Sequence, residues 1–286
     1  MKKRVPIMII AWMLALMLSL IASTASCETL RGYDPEEGYV YVSFGRYPQT
    51  AEGEIQPILW RVLTVDDEKI YLLSEYILLA RCMHANLTQY RDEFRGDFGK
   101  TDLCEYLNTV FAAEAFTQEE LSMLLPMEDI GLIFIPSAEE LKNREWGLGE
   151  TLLGVSSPKK IRAKPGLRAW GTEWAIKNNG FDPAEYSNVK TRIEGSSRKP
   201  MPLKELRLFV YSNQWANHSP YWTRTQSQDY PNQARCIKAD GGIGRIEVGR
   251  DNEGVRPGVW LNLHAFQIQK GEGTKEDPYI IGTREQ

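Results

Sequence analysis

Cysteine and histidine are scarce in this 286-residue chain, which has four cysteines and three histidines. No Cys-x-x-Cys pair occurs, and His84, His218 and His264 are scattered, with no metal-ligand partner at helical spacing. The chain also lacks a phosphate-binding glycine loop, a Gly-x-Ser-x-Gly nucleophile turn and a His-Glu-x-x-His zinc motif. These absences count against the enzyme classes that depend on such motifs, and we predict no cofactor and no metal.

Positive charge is not in excess. The 34 lysines and arginines are outnumbered by 38 aspartates and glutamates, which gives a formal net charge of −4. Domains that bind nucleic acid normally carry a basic surplus, so we expect no nucleic-acid partner. With 42% hydrophobic residues, the chain is typical of a folded globular protein.

The amino terminus has the three-part layout of a secretory signal peptide. A basic start, Met1-Lys-Lys-Arg4, precedes the apolar run Ile7–Ala22 and a stretch of small residues that ends before Cys27. The alternative is an uncleaved membrane anchor, but the run is shorter than the roughly 20 apolar residues that a spanning helix needs. We predict a signal peptide over residues 1–26 and an extracellular or cell-envelope location.

Cys27 follows the small residues directly, as the lipidated cysteine of a bacterial lipoprotein does. Thr24 stands where such signals usually have leucine. Two interpretations therefore stay open, lipidation of Cys27 and ordinary cleavage after Ala25 or Ser26. In either case, contact with a membrane would come only through the signal segment or a lipid on Cys27.

The other cysteines are Cys82, Cys104 and Cys236. In an oxidising compartment two of them can pair. Cys82 and Cys104 are close in sequence and would close a loop of about 20 residues, a constraint worth roughly 3 kcal/mol. We predict a disulfide between Cys82 and Cys104 and a buried free thiol at Cys236, although residue counts alone do not establish the bridge.

Apolar periodicity places strands at both ends of the chain and helices between them. Alternating or β-branched runs predict strands at 39–44, 58–65, 69–73, 130–135, 206–211, 221–224, 234–237, 244–248 and 259–263. Helices are predicted at 103–111, after the capping boxes that begin at Thr117 and Ser137, and over 168–179. This order indicates an α+β domain, with antiparallel sheets and a few short helices, whose termini meet in one sheet.

The predicted organisation is a single domain over residues 38–265. A polar linker, residues 27–37, precedes it, and a tail, residues 266–286, follows it. Residues 183–206 contain five basic and few large apolar side chains. This segment fits a basic patch less well than an exposed insertion loop, because acidic neighbours dilute its charge.

Six short motifs occur in order over residues 39–263. They are Phe44-Gly-Arg-Tyr-Pro-Gln49, Trp60-Arg-Val-Leu63, Tyr106-Leu-Asn108, Tyr221-Trp-Thr-Arg224, Ala239-Asp-Gly241, and Gly254-Val-Arg-Pro257 with Trp260-Leu-Asn-Leu263. Together they resemble the bacterial family described as domain of unknown function 6273, which is common in secreted proteins. The last motifs also resemble the closing β region of C-type-lectin-like folds, including the formylglycine-generating-enzyme branch.

This resemblance implies a C-type-lectin-like fold and a ligand face between the Trp-x-Arg strand and the Gly-Val-Arg-Pro segment. Carried over by position, that face comprises Tyr230, Asn232, Arg235, Arg250 and Asn252. The chain lacks the Glu-Pro-Asn or Gln-Pro-Asp triplet of calcium-dependent lectins and the closely placed cysteines of the copper oxidases. Neither activity is therefore carried over with the fold.

Five residues near the carboxyl end are expected to be structural. We predict that Trp222 and Trp260 belong to the core, and that Arg224 lies on the same strand face as Trp222. Pro257 should fix a bend. Arg256 should turn inward and donate hydrogen bonds to main-chain carbonyls near Trp222.

The leading hypothesis is an exported, non-catalytic binding domain for a glycan or a surface protein. The export signal, the missing catalytic motifs and the aromatic side chains of the last third favour it. One alternative is a divergent envelope enzyme, either a formylglycine-type oxidase or a hydrolase. The other is a purely structural envelope protein. A cluster of Cys82 or Cys104 with Cys236 in an open cleft would favour the oxidase.

Overall fold

The computed structural model describes residues 30–148, 167–178, 219–238, 241–251 and 253–284. Several predictions lie outside these ranges: the signal peptide, lipidation of Cys27, the insertion loop, the strand at 206–211 and the position of Asn252. Within the same ranges, none of the helices has both the length and the apolar character that a membrane span requires.

Thirteen strands in the described ranges form two sheets. In chain order they are β1 (Tyr41–Pro48), β2 (Ile55–Val65), β3 (Lys69–Ser74), β4 (Leu79–Ala80), β5 (Leu124–Leu125), β6 (Ile133–Phe134), β7 (Tyr221–Gln226), β8 (Gln233–Ile237), β9 (Ile243–Glu247), β10 (Gly254–Val255), β11 (Gly258–Asn262), β12 (Phe266–Lys270) and β13 (Tyr279–Thr283). The predicted α+β class is confirmed.

The main sheet has the order β12-β13-β1-β2-β3-β11-β5, with β6 also paired to β11. Its neighbours are antiparallel except for β1 and β13, which pair in parallel. The first and last strands of the described chain therefore lie side by side. The predicted strands at the two ends of the domain, 39–44 and 259–263, also belong to this one sheet, as the sequence predicts. The second sheet has the order β4-β10-β7-β8-β9, and only its β10–β7 pair is parallel.

Both ends of the domain are more extensive than predicted. Residues 266–283, which the sequence analysis assigns to a tail, form β12 and β13 of the main sheet. In the predicted linker, Leu30 is buried, and Asp34 and Gly38 exchange main-chain hydrogen bonds in a tight turn. Apolar side chains at Leu30, Phe266 and Ile281 contribute to the same core as the central strands.

The helices are short and lie mainly between β4 and β6. They are α1 (Leu87–Asp92), α2 (Asp102–Tyr106), α3 (Ala112–Ala115), α4 (Gln118–Ser122) and α5 (Glu173–Asn178), with 3₁₀ turns at Phe98–Lys100 and Glu140–Lys142. The capping box of Thr117 and Glu120 is formed at the start of α4. Ser137 and Glu140 also exchange both capping hydrogen bonds, but only a 3₁₀ turn follows.

A π-helical turn, Leu107–Phe111, joins α2 to α3. The wider turn shifts the helical register within the predicted helix at 103–111, and Val110 is exposed. Asn108 lies in this turn. Its Nδ2 donates to the Ile133 carbonyl at 2.8 Å, and its Oδ1 accepts from the Ile133 amide at 3.0 Å. The amide side chain thus pairs with β6 as a strand backbone would, which accounts for asparagine in the Tyr106-Leu-Asn108 motif.

The Gly254-Val-Arg-Pro257 segment carries the chain from β10 in the second sheet to β11 in the main sheet. Arg256 is fully buried there. Its Nε donates to the Ser74 carbonyl at 2.7 Å, and its Nη1 lies 3.4 Å from the Tyr221 hydroxyl. The Ser74 amide donates to the Pro257 carbonyl at 2.9 Å. Both main-chain groups of Ser74, at the end of β3, therefore form hydrogen bonds with the segment that joins the two sheets.

The remaining predicted structural residues differ in burial. Trp222 is fully buried, and its indole N–H donates to a main-chain carbonyl at 2.8 Å. Arg224 forms a two-pronged ion pair with Glu140. Trp260 is only half-buried, because Lys69 rather than the core covers one face of its ring, at 4.4 Å from the centroid.

Candidate functional site

The β8–β9 hairpin contains most of the ligand face predicted from the sequence. In register, Arg235 of β8 lies opposite Arg245 of β9, and Gln233 lies opposite Glu247. Side chains alternate along β8, so that Ala234 and Cys236 are buried while Gln233 and Arg235 reach the surface. The exposed side of this hairpin, called the hairpin face below, comprises Tyr230, Asn232, Arg235, Arg245 and Glu247.

The contacts of the hairpin face hold an aromatic ring at the surface. Tyr230 is 43% exposed, and the Arg245 guanidinium lies 4.0 Å from its ring centroid. Asn232 Nδ2 donates to Glu247 Oε2 at 3.4 Å, and the Asn232 carbonyl accepts from an amide just after β9. These contacts bring together three of the five predicted residues, Tyr230, Asn232 and Arg235.

The other two predicted residues are Arg250 and Asn252, and Asn252 lies outside the described residues. Arg250 is exposed and lies in the turn after β9, where its amide donates to the Glu247 carbonyl. No contact within the described ranges links its side chain to Tyr230, Asn232 or Arg235. Arg245 and Glu247, which the sequence analysis did not select, take their place. The signal for them is the alternation of charged and apolar residues in the predicted strand at 244–248.

A cavity of about 280 Å³ lies near the end of β3 and was not predicted. Its lining includes Arg61, Glu75, Tyr76, Arg168, Trp170 and Lys275, and it is called the basic cavity below. These residues come from β2, from the segment after β3, from the stretch before α5 and from the loop between β12 and β13. The sequence signal for the cavity is Arg61, a charged residue at a buried position of a strand.

Glu75 is the centre of an ion-pair network in the basic cavity. Arg61 Nε and Nη2 donate to Glu75 Oε2 at 2.9 and 2.6 Å. Lys275 Nζ donates to Glu75 Oε1 at 2.8 Å. Burial alone would raise the pKa of Glu75, but the charges of Arg61, Arg256 and Lys275 hold it below its usual value. The carboxylate is therefore ionised at neutral pH, and both of its oxygens are engaged.

In the described ranges, Cys82, Cys104 and Cys236 are free thiols, so the structure does not contain the predicted Cys82–Cys104 disulfide. Cys104 is buried in α2, where its Sγ donates to the Ile130 carbonyl. Cys82 is half-exposed on the loop after β4. Closeness in sequence therefore did not pair the two sulfur atoms.

The two buried thiols, Cys104 and Cys236, are poorly suited to nucleophilic chemistry. Burial raises the pKa of Cys104 to about 11, and burial, followed by the charge of Glu253, raises that of Cys236 further. The two buried thiols have different neighbours and remain protonated, which disfavours nucleophilic or redox chemistry. His84 is buried, with its ring nitrogens 3.0 Å from Asp102 and 3.1 Å from Gln89.

In the parts of the chain that the structure describes, no three His, Cys, Asp or Glu side chains converge as a metal site would require. The two arrangements with recognisable binding chemistry in these parts are the hairpin face and the basic cavity. Both combine arginine with an accessible aromatic ring.

A family model described as Domain of unknown function (DUF6273) matches residues 67–263. The chain belongs to this family. The match includes the whole hairpin face, whereas Arg61 and Lys275 of the basic cavity lie outside it. No curated protein and no solved structure matches the chain.

Proposed function

We propose that this protein is an exported, non-catalytic binding domain of C-type-lectin-like architecture, which recognises a glycan or protein partner at the cell surface or outside the cell. Its binding surface is the hairpin face. The observation that carries the proposal is the pair of arginines, Arg235 and Arg245, placed directly opposite each other beside an exposed tyrosine.

Like charges directly opposite on paired strands destabilise the pair. Arg245 reduces this cost by stacking on Tyr230. The guanidinium of Arg235 has no hydrogen bond or ion pair within the described residues. A bound anion between the two arginines would offset the remaining repulsion. The arrangement therefore favours binding of an anion, whereas it does not stabilise the fold itself.

The chemistry of the face indicates the kind of group it binds. Arginine presents a planar fork of donors that matches the two oxygens of a carboxylate or a sulfate. The Tyr230 ring offers an apolar surface beside that fork, and Asn232 offers both a donor and an acceptor. An acidic glycan or an acidic protein segment satisfies all three.

Reversing the charge of Arg235 should change binding and stability in opposite directions. Arg235→Glu would place a carboxylate opposite Arg245, so we expect the free energy of unfolding to rise by about 0.2–1 kcal/mol. The same change should abolish binding to an array of carboxylated and sulfated glycans and acidic peptides. Tyr230→Ala should also abolish that binding, with little change in melting temperature.

The matched control is Lys270→Glu, which makes the same charge reversal on an exposed position of β12. It should bind the array as the wild-type chain does. Unchanged binding by both Arg235→Glu and Tyr230→Ala would show that the hairpin face is not the binding surface.

The cellular location has its own test. If Cys27 is lipidated, the wild-type protein should incorporate a radioactive fatty acid and remain with the cells, because the acyl chain anchors it. Cys27→Ser with an intact signal segment should be released into the medium without label. Cys82→Ser is the control and should keep the label. Absence of label from the wild type would rule out the tether.

A further inference from the structure

We propose that the partner recognised at the hairpin face is a protein, and that an extended acidic segment of this protein adds to the second sheet as a further strand beside β9. This inference rests on the proposed function and names the kind of partner involved. It stands on the position of β9 in the sheet, on the main-chain groups that β9 leaves unpaired, and on the charges of the hairpin face.

The pairing of β8 with β9 determines which main-chain groups of β9 point away from β8. At one end of the hairpin the Lys238 amide donates to the Gly242 carbonyl at 2.8 Å, and at the other the Val248 amide donates to the Asn232 carbonyl at 3.2 Å. The register between these two bonds is continuous. In an antiparallel pair, residues that exchange hydrogen bonds alternate with residues that do not. Every second residue of β9, counted from Gly242, therefore bonds to β8.

The alternate residues of β9, Ile243, Arg245 and Glu247, turn their amides and carbonyls towards the outer edge of the sheet. Within the described ranges, β8 is the only strand that pairs with β9. The Glu247 carbonyl accepts from the Arg250 amide, whereas the main-chain groups of Ile243 and Arg245 have no partner among the described residues. A row of unpaired amides and carbonyls on an edge strand is a template for an extended peptide.

The charges of the hairpin face indicate the sequence of that peptide. Residues opposite each other on paired strands point to the same side of the sheet, so an added strand would continue the face. A residue opposite Arg245 would lie beside the Arg235–Arg245 pair, where an acidic side chain offsets the repulsion. A basic residue suits the position opposite Glu247, and an apolar one suits the position opposite the half-buried Ile243. In antiparallel pairing the predicted pattern is basic-x-acidic-x-apolar.

The same charges disfavour a second copy of this chain as the added strand. When two copies of a sheet join edge to edge in antiparallel fashion, a two-fold axis places the same side of both copies on one continuous face. Each copy would bring Arg235, Arg245 and Glu247 to that face. The two surplus positive charges would repel each other. An acidic segment carries the opposite charge, so the observations favour a different protein.

Fluorescence anisotropy of the full chain with labelled peptides tests the proposal. The probe is acetyl-Thr-Lys-Thr-Glu-Thr-Val-Thr-amide, and we expect saturable binding with a dissociation constant no weaker than about 100 µM. A methyl group on the amide nitrogen of the glutamate removes a hydrogen bond to Arg245 and should weaken binding at least about tenfold. The same methyl group on the next threonine, whose amide points away from β9, should weaken binding less than about threefold.

Two variants at one position of β9 test the same hydrogen bonding from the side of the protein. Ile243→Ala and Ile243→Pro both shorten the side chain, but only proline also removes the outward-pointing amide. Ile243 is the first residue of an edge strand, a position where proline is tolerated. We expect peptide binding to weaken less than about threefold in Ile243→Ala and at least about tenfold in Ile243→Pro. Lys270→Glu should bind the peptide as the wild type does.

Four results would overturn the strand addition. They are no saturable binding of the probe, equal binding of the two methylated peptides, tighter binding of a carboxylated or sulfated glycan than of any acidic peptide on the array, and dimers of the chain that persist with excess probe during sedimentation. In each case, array binding that is lost in Arg235→Glu would still support the hairpin face as the binding surface. Array binding that does not depend on Arg235 or Tyr230 would overturn the proposed function as well.

Discussion

Replacing Arg256 with alanine should lower the free energy of unfolding by roughly 2–4 kcal/mol, because it leaves buried acceptors at the junction of the two sheets without a donor. The side chain is completely buried, and its Nε donates to Ser74 at the end of β3. The positive charge of Arg256 also helps to hold Glu75 ionised. Its loss therefore weakens both the connection between the sheets and the ion-pair network of the basic cavity.

Two further variants make the Arg256 result interpretable. Arg46→Ala removes an exposed arginine of β1 and should change stability by less than about 0.5 kcal/mol. Arg256→Lys keeps the charge without the planar fork and should fall between alanine and wild type. Chemical denaturation provides the measurement. An Arg256→Ala chain that unfolds at the wild-type denaturant concentration would contradict the structural role of this residue.

Glu253 should make the protein less stable as pH rises from about 4.5 to 8. Burial raises the pKa of Glu253 to about 8, against the lowering effects of Cys236 and Arg250. The unfolded chain releases this proton near pH 4.5 and the folded chain only near pH 8. Between those values the folded state binds more protons, so the free energy of unfolding falls with pH, by roughly 3–5 kcal/mol in total, and levels off above pH 8.

Glu253→Gln isolates that contribution, since the amide has the shape of the protonated acid and does not titrate. The free energy of unfolding of the variant, relative to that of the wild type, should increase steadily between pH 5 and pH 8. The variant should be the more stable of the two at pH 8. Glu276→Gln, at an exposed position, is the matched control. Parallel stability curves for wild type and Glu253→Gln would show that the buried carboxyl does not titrate in this range.

Local patterns in the sequence predict much of the fold. The two runs at 58–65 and 69–73 correspond to β2 and β3, which pair around the acidic turn at Asp66 and Asp67. The capping box at Thr117 is formed as its spacing requires. Such features depend on neighbours within a few residues, and their physical basis is present in the sequence itself.

The features that the sequence did not reveal depend on distant contacts. The predicted helix over 168–179 begins only at Glu173, because Ala169 and Gly171 bridge to distant segments instead. Lys275 reaches Glu75 across 200 positions in the chain. No local pattern links these two residues, so the basic cavity became visible only once the strands were placed.

The hairpin face could be predicted from the sequence only in part. The resemblance selected Tyr230, Asn232 and Arg235 by position, and they lie close together on one hairpin. Arg245 and Glu247 join them through strand register, which depends on how β8 and β9 pair. A site formed by neighbouring strands is therefore partly predictable, whereas a site formed by distant loops is not.

Hydrogen–deuterium exchange of the full chain, with and without the array ligand that binds it most tightly, tests the binding surface most directly. In the described part of the second sheet, β9 is an edge strand, and the loop at 227–232 adjoins it. We expect the ligand to slow exchange in this loop and in β9, and to have no such effect in Arg235→Glu. Saturable binding that leaves exchange in both segments unchanged would contradict the proposal that the hairpin face is the binding surface.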